Sequence, residues 1–185
     1  HEKNISFLLQ VLNQVITEVP DALFVIAGEG PARESLEEKV KYLSLGENVM
    51  FIGYLDRHTE LNNCYRAADI FIFSSRTETQ GLVLLEAMAQ GVPVVSTAEL
   101  GTRDVLMEGQ GVWIAREELA DFSEKVIKML GNADVRKKLG EQGRDYALGW
   151  SASKQAERVT VFYQSVISAS KPAKQLLELS SSAAN

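Results

Sequence analysis

The sequence predicts an α/β domain, a doubly wound parallel sheet with helices on both faces. Two observations lead to this prediction. Short, almost wholly apolar segments alternate with segments whose apolar residues recur at helical spacing. Strands of a parallel sheet that is covered on both faces are apolar throughout, as these segments are. The chain has 185 residues, of which 45% are hydrophobic, so it is long enough to bury the core of one such domain.

The first half of the chain supplies the alternation of helices and strands. A helix ended by Pro20 is predicted by an apolar face of Ile5, Leu8, Leu9, Leu12, Val15, Ile16 and Val19. An apolar strand over residues 22–27 follows, and Pro31 is placed to open a helix that ends near Leu43. The same unit recurs as strands at 49–52, 69–73 and 93–96, with helices at 59–67 and 82–89.

The last part of the chain is predicted to be mainly helical. A short strand at 112–114 extends the sheet, and helical spacing from Glu117 is broken at 131–132 and 149–150. A final helix is expected over about residues 151–168. We expect one domain over 1–169 and a flexible tail over 170–185, which ends in serine and alanine. The chain lacks an initiator methionine and enters a helix at once, so we expect it to be a piece of a longer protein.

Composition excludes several classes of function. The net charge is −6, from 25 acidic and 19 basic residues, which disfavours binding to nucleic acid. The single cysteine, Cys64, cannot form an internal disulfide, and with His1 and His58 it gives no set of zinc ligands. No apolar run approaches the length of a membrane span, and the start does not resemble a signal peptide. We therefore expect a metal-free, cytoplasmic domain.

Ligands of doubly wound sheets bind beyond the carboxyl ends of the strands, and two weak candidates lie there. Gly28 and Gly30 follow a predicted strand and allow the backbone to approach a ligand closely, although a simple tight turn explains them equally well. Arg33 stands where the dinucleotide fingerprint needs glycine, and the chain has no P-loop. Lys3, before the first helix, is placed to neutralise a phosphate, with an ordinary surface lysine as the alternative.

Residues 74–86 carry the strongest signal. Glu78 lies in the loop that follows a predicted strand, and Gly81 marks the start of the next helix. The N–H groups of Gly81, Leu82 and Val83 are therefore expected to be unpaired donors at the positive, amino-terminal end of that helix. A phosphate binds favourably at such a helix start. Glu78 and Glu86 then flank that phosphate as acceptors for hydroxyl groups of a sugar and a ribose. A solvated helix glutamate is the alternative for Glu86, but its apolar neighbours disfavour it.

With these motifs in order, the chain resembles the donor-binding, carboxyl-terminal half of retaining GT-B glycosyltransferases of the glycogen-synthase-like group, also called group 1. The resemblance covers about residues 1–168. Its most specific part is the pair Glu78 and Glu86, separated by seven residues, in the sequence ETQGLVLLEAMAQGVPVV. Weaker matches occur in the family's order at residues 3–5, 28–31, 51–55 and 68–73.

The resemblance implies an enzyme that uses a nucleotide-sugar donor, linked to UDP, GDP or ADP, without a metal or other cofactor. Glu78 would contact hexose hydroxyls and Glu86 the ribose hydroxyls. Lys3 and the N–H groups of Leu82 and Val83 would hold the diphosphate, so that charge stabilises the leaving group. Glu78 and Lys3 are accordingly the catalytic candidates, and Glu78 positions the sugar rather than attacking it.

Other donor contacts implied by the resemblance are Tyr54 and Leu55, at the nucleobase. The usual Glu-Gly-Phe-Gly of the family is here Glu78 followed by Thr79, Gln80 and Gly81, which changes the residues nearest the sugar and leaves the identity of the donor open. The family's first donor-domain strand, which carries an arginine for the diphosphate, would precede residue 1.

The resemblance also implies partners. The acceptor would bind an amino-terminal domain of the same protein, toward which the helix over 151–168 crosses back, and the full-length protein can associate peripherally with membranes. A non-catalytic α/β module that regulates or binds an anion is the alternative function.

Overall fold

The computed structural model describes residues 2–57 and 59–182, with side chains up to residue 169. Its strands are β1 Phe24–Ala27, β2 Val49–Gly53, β3 Phe71–Phe73, β4 Val94–Ser96 and β5 Val112–Ile114. Its helices are α1 Ile5–Val15, α2 Arg33–Tyr42, α3 Glu60–Ala67, α4 Leu82–Ala89, α5 Gly101–Val105, α6 Leu119–Leu130, α7 Ala133–Leu148 and α8 Ala152–Ser182. The predicted alternation is confirmed, and α8 continues beyond its predicted end near residue 168.

The first strand starts two residues later than the apolar run because an asparagine side chain replaces strand pairing there. Asn48 donates its side-chain N–H groups to the carbonyls of Pro20 and Ala22, at 2.8 and 2.9 Å. Regular pairing begins only at Phe24, whose N–H donates to the Asn48 carbonyl at 2.8 Å.

The strands pair in parallel, in two separate sets. Phe24 of β1 lies opposite Val49 of β2. In the second set, Phe71 of β3 lies opposite Val94 of β4, which in turn lies opposite Val112 of β5. The sequence predicted one sheet, but in the part of the chain that the structure describes β1 pairs only with β2, and β3 only with β4. One edge of β1 and one edge of β3 therefore remain unpaired.

The three-stranded sheet is covered on both faces. Successive residues of a strand point to opposite faces. Val94 packs in a core cluster with Leu84 and Met88 of α4, whereas Val95 packs in another with Phe122 of α6. The doubly wound arrangement predicted from the sequence is thus confirmed here.

The two-stranded sheet is covered on one face. Leu9 of α1 packs against Ile26 of β1, while Leu8 packs in the cluster that contains Val95 of β4. Helices α1 and α2 both cover the Ile26 face. On the opposite face, Val25 and its cross-strand partner Met50 are 38% and 49% exposed. Within the described part of the chain, the prediction that the first strand is covered on both faces is therefore wrong.

The chain divides into two compact units, His1–Ala147 and Leu148–Asn185. In the second unit, α8 has a set of exposed apolar side chains, namely Val159, Val161, Phe162, Tyr163, Val166 and Ile167. The predicted bounds, a domain over 1–169 and a flexible tail over 170–185, stay a prediction, because side chains from residue 170 onward lie outside the described part. Among the helices that the structure describes, none has the length and apolar character to cross a membrane.

Thr97 gives a prediction about stability. It follows β4 and is 1% exposed, and its hydroxyl has no hydrogen-bond partner among the described residues. Burying an unpaired hydroxyl costs roughly 1–3 kcal/mol. We expect Thr97→Val, which keeps the shape, to raise the free energy of unfolding by about 1 kcal/mol in a urea titration.

The control for this prediction is Thr102→Val. Thr102 is equally buried, but its hydroxyl donates to the Glu99 carbonyl at 2.7 Å, so the same change should lower stability. A loss of stability in both variants would contradict the prediction for Thr97.

Candidate functional site

Glu78 lies in the loop between β3 and α4, where both of its carboxylate oxygens accept hydrogen bonds. Oε2 accepts from Nζ of Lys3 at 2.8 Å. Oε1 accepts from the backbone N–H groups of Gln80 and Gly81, at 3.3 and 3.1 Å. The Glu78 side chain is 14% exposed and the Lys3 side chain 55%. The structure thus brings Lys3 and Glu78, which are far apart in sequence, into one site at the carboxyl end of β3.

These contacts keep Glu78 charged. The hydrogen bond from Lys3, with help from the two backbone N–H groups, lowers the pKa of Glu78 from its usual 4.5, against the opposing effect of burial. Because the folded pKa is the lower one, the contacts contribute their full stability above pH 4.5. That contribution is lost as the pH falls through the folded value. At neutral pH the group is a carboxylate that only accepts hydrogen bonds.

The segment that carries Lys3 is tied to the loop after β3. The Glu2 carbonyl accepts from the hydroxyl of Ser75 at 3.1 Å, and the Asn4 carbonyl accepts from the hydroxyl of Ser74 at 3.4 Å. Both serines are fully buried. These bonds on either side of Lys3 fix its backbone beside Glu78.

A second ion pair holds the same loop. Arg76 pairs with Glu117, with Nε of the arginine 2.8 Å from Oε2 of the carboxylate. Glu117 also accepts from the side chain of Asn4 at 3.0 Å. The arginine is the main cause of the lowered pKa of Glu117. Sequence reasoning missed this pair, because the two residues lie in loops 41 residues apart that only the fold brings together.

The start of α4 offers unpaired donors next to Glu78. Gly81 precedes the helix with φ +67°, in the left-handed region that glycine adopts without strain. The N–H of Gly81 donates to Glu78, whereas those of Leu82 and Val83 have no acceptor among the described residues. Such donors lie at the positive end of the helix dipole and favour an anion.

The backbone of this loop is also held from the side of α5. The N–H of Gly101 donates to the Glu78 carbonyl at 3.1 Å. A Cβ at Gly101 would overlap the carbonyl of Thr79, so only glycine allows this close approach. The side chains of Thr79 and Gln80 are exposed. The loop therefore has a backbone held by these contacts and two exposed side chains.

Glu86 lies further along α4 and has two partners of its own. Its Oε1 is 2.6 Å from a guanidinium nitrogen of Arg57, and its Oε2 accepts from the hydroxyl of Tyr65 at 3.3 Å. The Glu86 side chain is 30% exposed, so it is neither buried nor the freely solvated glutamate of the alternative interpretation. Burial, reinforced by the Glu86 carboxylate, raises the pKa of Tyr65, which keeps its hydroxyl protonated as a donor.

Arg57 and Tyr65 were not predicted from the sequence. Arg57 lies in the loop after β2, as Tyr54 and Leu55 do, so its charge at the carboxyl end of a strand was a usable signal. Tyr65 gave no such signal, because an aromatic residue in a helix before an apolar strand indicates a core position.

The predicted glycine turn after β1 meets the loop after β2. The N–H of Gly28 donates to the Gly53 carbonyl at 2.6 Å, and Gly28 has φ +119°. A Cβ at Gly28 or at Gly30 would have open space around it. Tyr54 is 71% exposed and Leu55 is half-buried. In the described part of the chain, these predicted residues have no hydrogen bond or ion pair to Glu78 or Glu86.

The remaining candidates from the sequence are Cys64, His1 and His58. Cys64 is a free, half-buried cysteine on α3. Among the described residues, no group of three or more histidine, cysteine or acidic side chains is arranged to hold a metal ion. His1 and His58 lie outside the described residues.

Comparison with curated proteins identifies relatives. The chain is 33% identical over 141 residues to sulfoquinovosyl transferase SQD2 of Arabidopsis thaliana, which covers 74% of this chain and 27% of that protein. It is 32% identical over 166 residues to the GDP-mannose-dependent monoacylated alpha-(1-6)-phosphatidylinositol monomannoside mannosyltransferase of Corynebacterium glutamicum, covering 85% and 43%. The chain therefore spans less than half the length of these relatives.

Solved structures share the fold. The C-terminal domain of the group 1 glycosyl transferase LpcC from Francisella tularensis matches with a TM-score of 0.71 and 25% identity, over 80% of this chain and 78% of that one. TarM of S. aureus, crystallised with UDP, matches with a TM-score of 0.76 and 24% identity, over 84% of this chain and 31% of that one.

A protein-family comparison covers most of the first unit. The family described as glycosyl transferases group 1 matches residues 1–146, a span that includes every residue of the site above. The chain therefore belongs to the group 1 glycosyltransferases and has the fold of the carboxyl-terminal domain of their GT-B architecture.

Proposed function

We propose that this chain is the donor-binding domain of a retaining hexosyltransferase, which transfers a hexosyl group from a nucleotide sugar to an acceptor. The observation that carries the proposal is the pair of Lys3 and Glu78 beside N–H groups at the start of α4 that have no acceptor among the described residues. One small site thus offers donors for an anion and a charged acceptor for hydroxyl groups. A diphosphate sugar requires both.

In this proposal the diphosphate binds at the start of α4. The N–H groups of Leu82 and Val83 donate to phosphate oxygens, and the ammonium of Lys3 adds a full positive charge. Lys3 lies 5.6 Å from the centre of the Phe73 ring, on a face that favours a cation. Donors that are already in place when charge develops on the leaving diphosphate lower the barrier without reorganisation.

Glu78 accepts hydrogen bonds from hexose hydroxyls. Its lowered pKa keeps it charged, and the backbone N–H groups of Gln80 and Gly81 fix its orientation. Its role is to position the sugar. Thr79 and Gln80 lie nearest the sugar in this assignment, while the turn at Gly28 and Gly30 allows the backbone to approach the donor.

Glu86 accepts the ribose hydroxyls in the same arrangement, one helical turn beyond the phosphate donors. Tyr54 and Leu55, in the loop that also supplies Arg57, line the site of the nucleobase. UDP, GDP and ADP are all compatible with these residues.

We also propose that the segment before residue 1 supplies a strand between β1 and β3. Each of these strands has one edge that pairs with no other described strand, and Phe24 of β1 and Ile72 of β3 pack against the same core cluster. The Glu2 carbonyl is already bound at the carboxyl end of β3, by Ser75. A parallel strand that ended there would lead directly into α1, as in a right-handed βαβ unit.

The function is tested by saturation-transfer NMR on the chain with UDP, GDP and ADP. We expect binding of at least one of them, and Glu86→Ala should weaken it by about 1.5–3 kcal/mol through loss of charged hydrogen bonds. Glu124→Ala is the matched control, because Glu124 is also an ion-paired helix glutamate, on α6.

Two results would count against this proposal. Unchanged nucleotide affinity in Glu86→Ala would remove Glu86 from the site. Binding of inorganic pyrophosphate as tight as that of the nucleotides would favour a non-catalytic anion-binding module.

A further inference from the structure

The two residues that hold Glu86 differ in how firmly they are placed. Tyr65 is 7% exposed, and its ring contacts Phe71 edge to face, with ring centres 5.5 Å apart. The side chain of Arg57 is 64% exposed. An exposed ion pair is weak and changes geometry readily. Of the two partners, the more firmly placed one is therefore Tyr65, whose ring is buried and whose hydroxyl bonds the Glu86 carboxylate.

Arg57 and Tyr65 do not use all of the hydrogen-bond acceptor sites of the Glu86 carboxylate. A carboxylate offers about four acceptor sites, two on each oxygen. The hydroxyl of Tyr65 uses one site on Oε2, and Arg57 uses one on Oε1. As far as the described residues show, one site remains on each oxygen, which matches the two adjacent hydroxyls of a ribose.

We propose that Tyr65 is a positioning residue for the nucleotide, acting through Glu86. Its hydroxyl holds Oε2 so that the free acceptor sites of the carboxylate are oriented for the ribose hydroxyls before the ligand arrives. Without this bond Arg57 alone orients the carboxylate, and the ligand must then fix the Glu86 rotamer itself. The inference rests on the proposed ribose role of Glu86.

Tyr65→Phe tests the inference, because it removes the hydroxyl and keeps the ring packed against Phe71. The ligand is whichever of UDP, GDP or ADP binds the chain, compared with its 2′,3′-dideoxy form by titration calorimetry. We expect the variant to bind the ribonucleotide about three- to tenfold more weakly, the effect of one hydrogen bond. The dideoxy form lacks the hydroxyls that Glu86 accepts, so its affinity should not change.

The control is Tyr146→Phe. The hydroxyl of Tyr146 donates to the Val105 carbonyl at 2.7 Å, so this variant also loses a hydrogen bond of a partly buried tyrosine. It should leave the preference for ribose over dideoxyribose unchanged. Thermal unfolding of both variants establishes that they fold.

The outcomes separate the two proposals. If the unsubstituted chain binds both forms equally, the ribose role of Glu86 fails, and the inference fails with it. If that chain prefers ribose but Tyr65→Phe leaves the preference intact, only the inference is overturned. Equal weakening of both ligands would assign Tyr65 a structural role and would also overturn it.

Discussion

The 185-residue chain alone is expected to bind a nucleoside diphosphate but to show no detectable transferase turnover. It spans 27% and 43% of the two relatives compared above, and in the proposed mechanism the acceptor binds a separate amino-terminal domain. Transfer requires donor and acceptor to be held in line within a closed cleft. A domain that binds only the donor supplies half of that arrangement.

The measurement is an assay of this chain beside the longer protein, with nucleotide-sugar donors and a panel of sugar and lipid acceptors. Nucleotide binding by NMR is the control, because it shows that an inactive chain still has a folded donor site. Turnover by the chain at a rate near that of the longer protein would refute the two-domain mechanism.

The second large effect is expected from Glu78→Gln in the longer protein. The neutral amide keeps the shape of Glu78 but not its charge, so the hexose loses a charged hydrogen bond worth about 1.5–3 kcal/mol. That loss corresponds to a fall in kcat/KM of roughly 10- to 150-fold. Affinity for the bare nucleoside diphosphate should hold or rise, since Lys3 is released from its ion pair with Glu78 and its charge becomes available to the phosphates.

The comparison of the two ligands is the decisive measurement for Glu78. Glu99→Gln is a suitable control, because Glu99 is an exposed, ion-paired glutamate in the loop after β4. Equal losses for the sugar nucleotide and for the nucleoside diphosphate would contradict the assignment of Glu78 to the sugar.

Local signals predicted those parts of the fold whose partners lie close in sequence. Helix α4 runs from Leu82 to Ala89, as predicted, because Gly81 and Gln90 stand at the two ends of an apolar segment. The strand at 112–114 is also confirmed. The exposed face of β1 and β2 was not predictable, because an apolar run shows what a strand prefers to bury, not whether a covering element is present.

The same limit applies to the site. The apolar strand before Glu78 and the glycine at position 81 predicted a loop and a helix start, and the structure has both. The contact between Lys3 and Glu78 joins residues 75 positions apart, and it depends on bonds between the amino-terminal segment and the loop after β3, such as those of Ser74 and Ser75. The donors to Glu86 come from the loop after β2 and from α3. Which residues reach Glu86 therefore depends on how α3 packs against α4.

The loop between β3 and α4 also bears on how donor preference could evolve. Gly81 and Gly101 determine the path of its backbone, whereas the side chains of Thr79 and Gln80 project into solvent and carry none of that constraint. On the proposed assignment, exchanges at these two positions alter the surface presented to the hexose without moving the groups that hold the diphosphate. New sugar specificities could then arise by substitutions at two adjacent positions, with little effect on phosphate binding or on the folding of the domain.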